Sequence, residues 1–127
     1  MTPVTLRLLP GDFAVCRLRP DAALPTWAAR GEFWSLTRTG DELSVVVLES
    51  AVPDGVRAEM GWGCLQVAGP LDFALTGILA GVLAPLAEAG IPIFVICTFD
   101  TDYLLVKRPR LQEAIGALVE AGHTVLE

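Results

Sequence analysis

Between Trp62 and Leu126 the spacing of apolar residues switches from strand-like to helix-like and back in a fixed order, and this order constrains the fold more than any other feature of the chain. A β-rich run, Trp62 to Val67, is punctuated by Gly69-Pro70. From Leu71 the apolar positions 71, 74, 75, 78, 79, 82, 83, 86 and 87 recur at three and four, which predicts a helix. Pro85 lies inside it, lacking a backbone N–H and pressing its ring toward the carbonyl of Gly81, where glycine leaves room for a bend. Gly90 supplies a C-terminal stop and Pro92 the exit. Ile93 to Cys97 shows no alternation and reads as a strand covered on both faces; the polar corner Thr98 to Asp102 then leads into a strand from Tyr103 to Val106. Arg108-Pro109-Arg110 opens a second helix whose stripe of Leu111, Ala114, Ile115, Leu118 and Val119 ends at Gly122, and Thr124 to Leu126 closes the series as a strand. Strand, helix, strand, strand, helix, strand is the split β-α-β or ferredoxin-like plan, an α+β fold with two helices on one face of an antiparallel sheet.

The first half reads as the same plan with its second helix lost. Val4 to Leu9 and Phe13 to Leu18 flank Pro10-Gly11-Asp12 and predict an opening hairpin. Residues 20–31 allow one or two helical turns before Gly31. Phe33 to Arg38 and Leu43 to Leu48 flank Thr39-Gly40-Asp41-Glu42 as a second hairpin, and Glu49 to Gly61 reads as a connection. The expected division is an abbreviated module over residues 1–60 and a complete one over residues 61–127.

Composition removes several classes of function. With 53% hydrophobic and 19% charged residues the chain has ample apolar surface to offset its conformational entropy. Its 15 acidic against 9 basic residues, a formal charge of -6, repel phosphate backbones and anionic lipid, so neither nucleic acid nor a membrane surface is expected as a partner. Lys107, Arg108 and Arg110 read as a solvated helix start. Mean hydropathy is +0.54, but the uncharged stretch Phe73 to Ala87 carries Pro85 and falls short of the about 20 residues a membrane span needs. Met1 to Arg7 has no signal-peptide pattern. Cys16, Cys64 and Cys97 are far apart, lack C-x-x-C spacing and sit in apolar runs, the pattern of reduced, buried cysteines in a cytoplasmic protein.

Catalytic machinery is not legible. His123, the single histidine, follows a helix-ending glycine and reads as a solvated turn residue rather than a general base. No nucleophile elbow, phosphate-binding glycine loop, dinucleotide fingerprint or set of metal ligands is present, so neither an enzyme nor a cofactor is expected. Two corners carry better chemistry. At Gly69-Pro70-Leu71-Asp72-Phe73 the unpaired N–H groups of a helix start favour a carboxylate, unless Asp72 itself caps the helix. At Thr98 to Asp102, two carboxylates and hydroxyls end a strand, suited to an ammonium or guanidinium group or serving as an ordinary surface turn. In the split β-α-β plan both corners open at one edge of the sheet, where they converge on a small zwitterion.

The run Gly69-Pro70-Leu71-Asp72-Phe73, then Thr76-Gly77-Ile78-Leu79, Pro85-Leu86-Ala87, Gly90-Ile91 and Thr98-Phe99-Asp100-Thr101-Asp102-Tyr103-Leu104-Leu105-Val106 resembles the CASTOR-like ACT-domain proteins of bacteria, closely over residues 62–126 and loosely before them. The resemblance implies tandem ACT modules and a non-catalytic regulatory role, since ACT domains bind amino acids at interfaces between paired modules and pass the signal to a partner. Eukaryotic relatives sense arginine with four modules, whereas this chain carries two, one abbreviated, so the resemblance implies that a full pocket is completed by a homodimer or by a contribution from the first half. Carried over by position, the ligand contacts are Gly69, Leu71, Asp72, Phe73, Thr76, Gly77 and Ile78 at the helix start and Thr98, Phe99 and Asp102 at the strand end, with Asp102 receiving a cationic or amino group. The alternative is a protein–protein interaction module with no small ligand, motivated by the apolar content and sheet edges.

Overall fold

The computed structural model describes residues 2–72 and 76–127. They divide into two compact units, residues 11–62 and residues 63–127 with the first ten. The larger unit holds β1 (Thr5–Leu8), the end of β5 (Arg57–Val67), α1 (Ile78–Glu88), β6 (Ile93–Cys97), β7 (Asp102–Lys107), α2 (Leu111–Glu120) and β8 (Thr124–Leu126). β7 pairs with β5 and β6, β5 runs antiparallel to β1 (Leu6 opposite Val67), and β8 lies parallel to β1 (Thr5 opposite Thr124). The expected ferredoxin-like order is therefore present, in an α+β fold.

Alternate residues of β1, β5 and β7 enter one core. Leu6, Leu65, Val67, Leu104 and Val106 meet Val82 and Leu86 of α1 and Leu111, Ala114, Ile115 and Leu118 of α2, all buried. Both helices thus cover the same face of the sheet. Truncating a side chain such as Leu118 to alanine removes about 2–5 kcal/mol of stability. The two helices end alike: at Gly90 (φ +69°) and Gly122 (φ +103°) the chain turns left-handed, and the next residue's N–H reaches back into the last turn, Ile91 to the Leu86 carbonyl and His123 to the Leu118 carbonyl, both at 3.0 Å. Arg110 ties the two helices, bonding Glu113 and reaching the carbonyls of Ala89 and Gly90 beyond α1.

The smaller unit orders β3 (Ser35–Arg38), β4 (Leu43–Leu48), β2 (Phe13–Leu18) and the start of β5 side by side, with 3-10 turns at Thr26–Ala28 and Glu49–Ala51. Its core is Ala14, Cys16, Ala28, Leu43, Val45 and Val47. The β3–β4 hairpin is as expected.

Four expectations fail. β1 and β2 form no hairpin: β1 spends its edges on β5 and β8, with Leu9 N–H on the Cys64 carbonyl (2.9 Å) and Ala68 N–H on the Thr5 carbonyl (2.7 Å), because Leu6 is buried under α1 and α2. Residues 57–61 belong to β5 rather than to a connection, paired with β2 from Arg17 opposite Arg57 onward. β6 pairs with β7 alone, so Ile93 to Ile96 are half-buried rather than covered on both faces. α1 begins at Ile78 instead of Leu71, since Leu71 N–H is taken by the Asp100 carbonyl (2.7 Å) and Gly77 is left-handed (φ +78°), a conformation no helix interior uses. The helix-period positions 74 and 75 lie outside the described residues.

Candidate functional site

The turn between β6 and β7 is closed by its own threonines. Thr98 N–H and Oγ1–H both donate to the Thr101 carbonyl, at 2.8 and 3.0 Å, and Thr101 N–H donates to Thr98 Oγ1 at 3.3 Å. Thr101 is 5% exposed, and its hydroxyl donates to the Val67 carbonyl at the end of β5. Ala68 N–H pairs toward Thr5, so the carbonyl of Val67 points the other way, toward this turn. With the Leu71–Asp100 bond, the exit of β5 is clasped to the β6–β7 corner at two places. Gly69 permits the approach: a Cβ there would stand 3.0 Å from the Asp100 oxygen and 3.1 Å from Thr101 Cβ. The Gly69–Pro70 peptide is cis.

The clasped corners and the start of α1 enclose an open pocket of about 310 Å³. Among the expected site residues, Leu71, Asp72, Gly77, Ile78, Thr98, Phe99 and Asp102 line it. Gly69 sits behind it against Asp100 and Thr101, the exposed Thr76 is not part of the lining, and Phe73 lies outside the described residues. Leu79, Ala80, Cys97, Asp100 and Thr101 join the wall without having been expected there. Asp100 and Thr101 stand inside the Thr98 to Asp102 corner already singled out, so proximity in sequence was the available signal; Leu79 and Ala80 follow once the helix is known to start at Ile78.

Electrostatically the pocket is two-sided. At α1 the N-cap is Gly77, which has no side chain to occupy the first-turn donors; Asp72 is not the cap, which corrects the alternative reading of that carboxylate. The lining also holds the acidic residues Asp72, Asp100 and Asp102, with no lysine, arginine or histidine among the lining residues. The Asp102 carboxylate accepts from the Cys97 thiol; that bond, burial and the negative charge hold the thiol above its ordinary value. Cys97 is exposed, unlike Cys16 and Cys64, which are buried as expected, because it ends the half-covered strand β6 at the pocket. Burial pushes the Cys64 thiol up to about 12. Phe99 stands at the rim with 78% of its surface exposed.

His123 is not a solvated turn residue. It is 3% exposed, and its ring bonds two backbone groups, Val4 N–H at Nδ1 (3.1 Å) and the Gly81 carbonyl at Nε2 (2.9 Å). Among the described residues no group of three or more His, Cys, Asp and Glu side chains is placed to hold a metal, and no helix is long and apolar enough to cross a membrane.

Comparison with known proteins places this geometry among relatives. The family model for the ACT domain matches residues 57–120, and a second family model, described as an N-terminal domain, matches residues 11–55. A solved protein of Agrobacterium tumefaciens is 43% identical, with a TM-score of 0.95 over 99% of this chain and 94% of its own. The regulatory subunit of aspartate kinase from Thermus thermophilus, solved in a ligand-free form, shares the fold at 12% identity, with a TM-score of 0.65 over 95% of this chain and 99% of its own. The bovine protein named cytosolic arginine sensor for mTORC1 subunit 1 is 31% identical over 101 residues, 71% of this chain and 31% of that protein. The chain thus spans about a third of the length of the arginine-sensor relatives it matches.

Proposed function

This chain belongs to the ACT-domain family, and from that premise we propose that it is a non-catalytic regulatory module that binds a free amino acid in the pocket between the start of α1 and the β6–β7 corner. One observation carries the reading: a single hollow is lined both by the start of α1, whose N-cap Gly77 supplies no side-chain cap, and by Asp72, Asp100 and Asp102. The donors suit the ligand's α-carboxylate, and Asp102 suits its ammonium group. With three acidic side chains and no basic one in the wall, a cationic side chain is favoured over a neutral or acidic one. L-Arginine is the first ligand to test, in keeping with the likeness to a protein named as an arginine sensor.

The chain works in the cytoplasm as a homodimer that reports occupancy to a protein partner, and residues 11–62 act as the abbreviated companion of the ACT module. The free cysteines support the cytoplasmic part of that reading.

A thermal-shift panel of the twenty amino acids tests the proposal. A ligand that binds only the folded state at 100 times its Kd adds about 2.7 kcal/mol. Arginine or lysine is expected to raise the melting temperature in a dose-dependent way and Asp102→Ala to abolish the shift. A panel that leaves the curve unmoved at millimolar concentration refutes it.

A further inference from the structure

Proline at position 85 creates a vacancy in α1 that the helix cannot fill. The helical donor for the Gly81 carbonyl would be the N–H of residue 85, and proline has none. A half-buried carbonyl left without its helical donor takes another where one is in reach. It finds one in His123, whose Nε2 lies 2.9 Å away, and the ring's other nitrogen lies 3.1 Å from Val4 N.

These two contacts fix the chemical form of the ring. A backbone N–H can only donate, so Nδ1 is an acceptor and carries no proton; a carbonyl can only accept, so Nε2 carries the hydrogen. Only the neutral Nε2–H tautomer satisfies both neighbours. The left-handed Gly122 brings the ring there, because it turns the chain so that His123 N–H closes on the Leu118 carbonyl at 3.0 Å. The next residue continues the same seam, with Thr124 N–H on the Val4 carbonyl at 3.0 Å. Ionisable side chains on the surrounding elements are Arg7 of β1, Glu88 of α1 and Glu113 and Glu120 of α2; Arg7 donates to Gln66 and Glu113 is held by Arg110. The ring's own partners are both backbone groups.

We infer that His123 is a positioning residue for the pocket: it stands in for the donor that Pro85 deletes and so fixes the first turn of α1 to β1. That turn is the pocket wall. Gly81 N–H closes it on the Gly77 carbonyl at 2.9 Å, and Gly77, Ile78, Leu79 and Ala80 all face the hollow. A sequence-distant imidazole thereby sets the direction of the amides that would receive a carboxylate. The functional half of this inference rests on the amino-acid reading above; the helix-completing half does not.

A double-mutant cycle separates them. His123→Phe keeps a ring and removes both bonds, and is expected to lower the melting temperature by roughly 5 °C or more. In a Pro85→Ala background the Gly81 carbonyl regains a helical donor, so the same substitution is expected to cost about half as much, Val4 N–H alone being stranded. His123→Gln, which keeps an N–H donor within reach, is expected to fall between His123→Phe and the parent. Nitrogen NMR of the imidazole at pH 8 should show an unprotonated Nδ1 and a protonated Nε2. Equal losses in both backgrounds, or the opposite tautomer, overturn the pairing of His123 with Pro85.

L-Arginine is the binding probe, measured by calorimetry at pH 8. His123→Phe is expected to weaken it about 10-fold, with at least 3-fold recovered by Pro85→Ala. Arginine binding that is indifferent to His123 overturns the positioning role. If no amino acid binds even the parent, the ligand reading and the positioning role fall together, while the cycle on melting temperature still decides the helix-completing role.

Discussion

Replacing Thr101 with valine tests whether the two corners are held together by the bond between this side chain and the end of β5. Valine keeps the shape of the side chain and deletes the hydroxyl that donates to the Val67 carbonyl, in a position 5% exposed. A buried hydrogen bond is worth about 0.5–1.5 kcal/mol net, and an acceptor left dry costs more, so a loss of about 1–2 kcal/mol is expected. Spread over 127 residues at about 2.1 cal/mol/K each, the unfolding entropy is near 270 cal/mol/K, so each kcal/mol moves the melting temperature about 4 °C. The substitution should therefore lower it by about 4–8 °C, and Thr101→Ser, which keeps the hydroxyl, by less. Chemical denaturation read by tryptophan fluorescence should show a lower midpoint with an unchanged slope. Since Thr101 also lines the pocket, the amino-acid shift should weaken in the same variant. A valine protein as stable as the parent would show that the turn is held by Thr98 and the Leu71–Asp100 bond, and that Thr101 contributes nothing to joining the corners.

Thiol labelling of the native protein should modify Cys97 alone, since Cys16 and Cys64 are buried. Because the Asp102 carboxylate raises the Cys97 thiol, less thiolate is present at a given pH; the rate should climb as pH rises above 8, and Asp102→Asn should speed it at pH 7.5, as followed by mass spectrometry. Labelling of Cys64 at a comparable rate would contradict the burial described. At α2, Arg110 holds the Glu113 carboxyl below its ordinary range through bonds of 2.7 and 3.1 Å. A depressed carboxyl contributes stability above its unfolded value, about 4.3, and loses it as pH falls through the folded one. Glu113→Gln should therefore melt slightly below the parent at pH 7 and match it near pH 3; a difference that grows on acidification would reverse the assignment.

The elements most legible in sequence are those set by local chemistry. Gly90 and Gly122 stop their helices where the apolar stripes run out, and the Thr98 to Asp102 corner joins its strands in the register that puts Cys97 opposite Asp102. The pocket was legible to the extent that its walls are short contiguous segments: the corner at position 100 and the turn before α1 were both read as sites for polar ligands. The first turn of α1 was misplaced because Leu71 fits a helical period while its N–H is spent on Asp100. His123 was misread because nothing next to it announces that a carbonyl 42 residues earlier lacks a donor.

The sequence by itself determined which stretches extend, which coil and where each stops, because those choices depend on neighbours within a turn or a strand. Tertiary structure alone decided that β1 joins β5 and β8, that Thr101 and Leu71 clasp the two corners, and that a histidine supplies the donor that proline removes from a continuous helix. Those outcomes rest on backbone donors and acceptors finding partners far along the chain, and a hydrogen bond between distant backbone groups leaves no mark on the spacing of side chains.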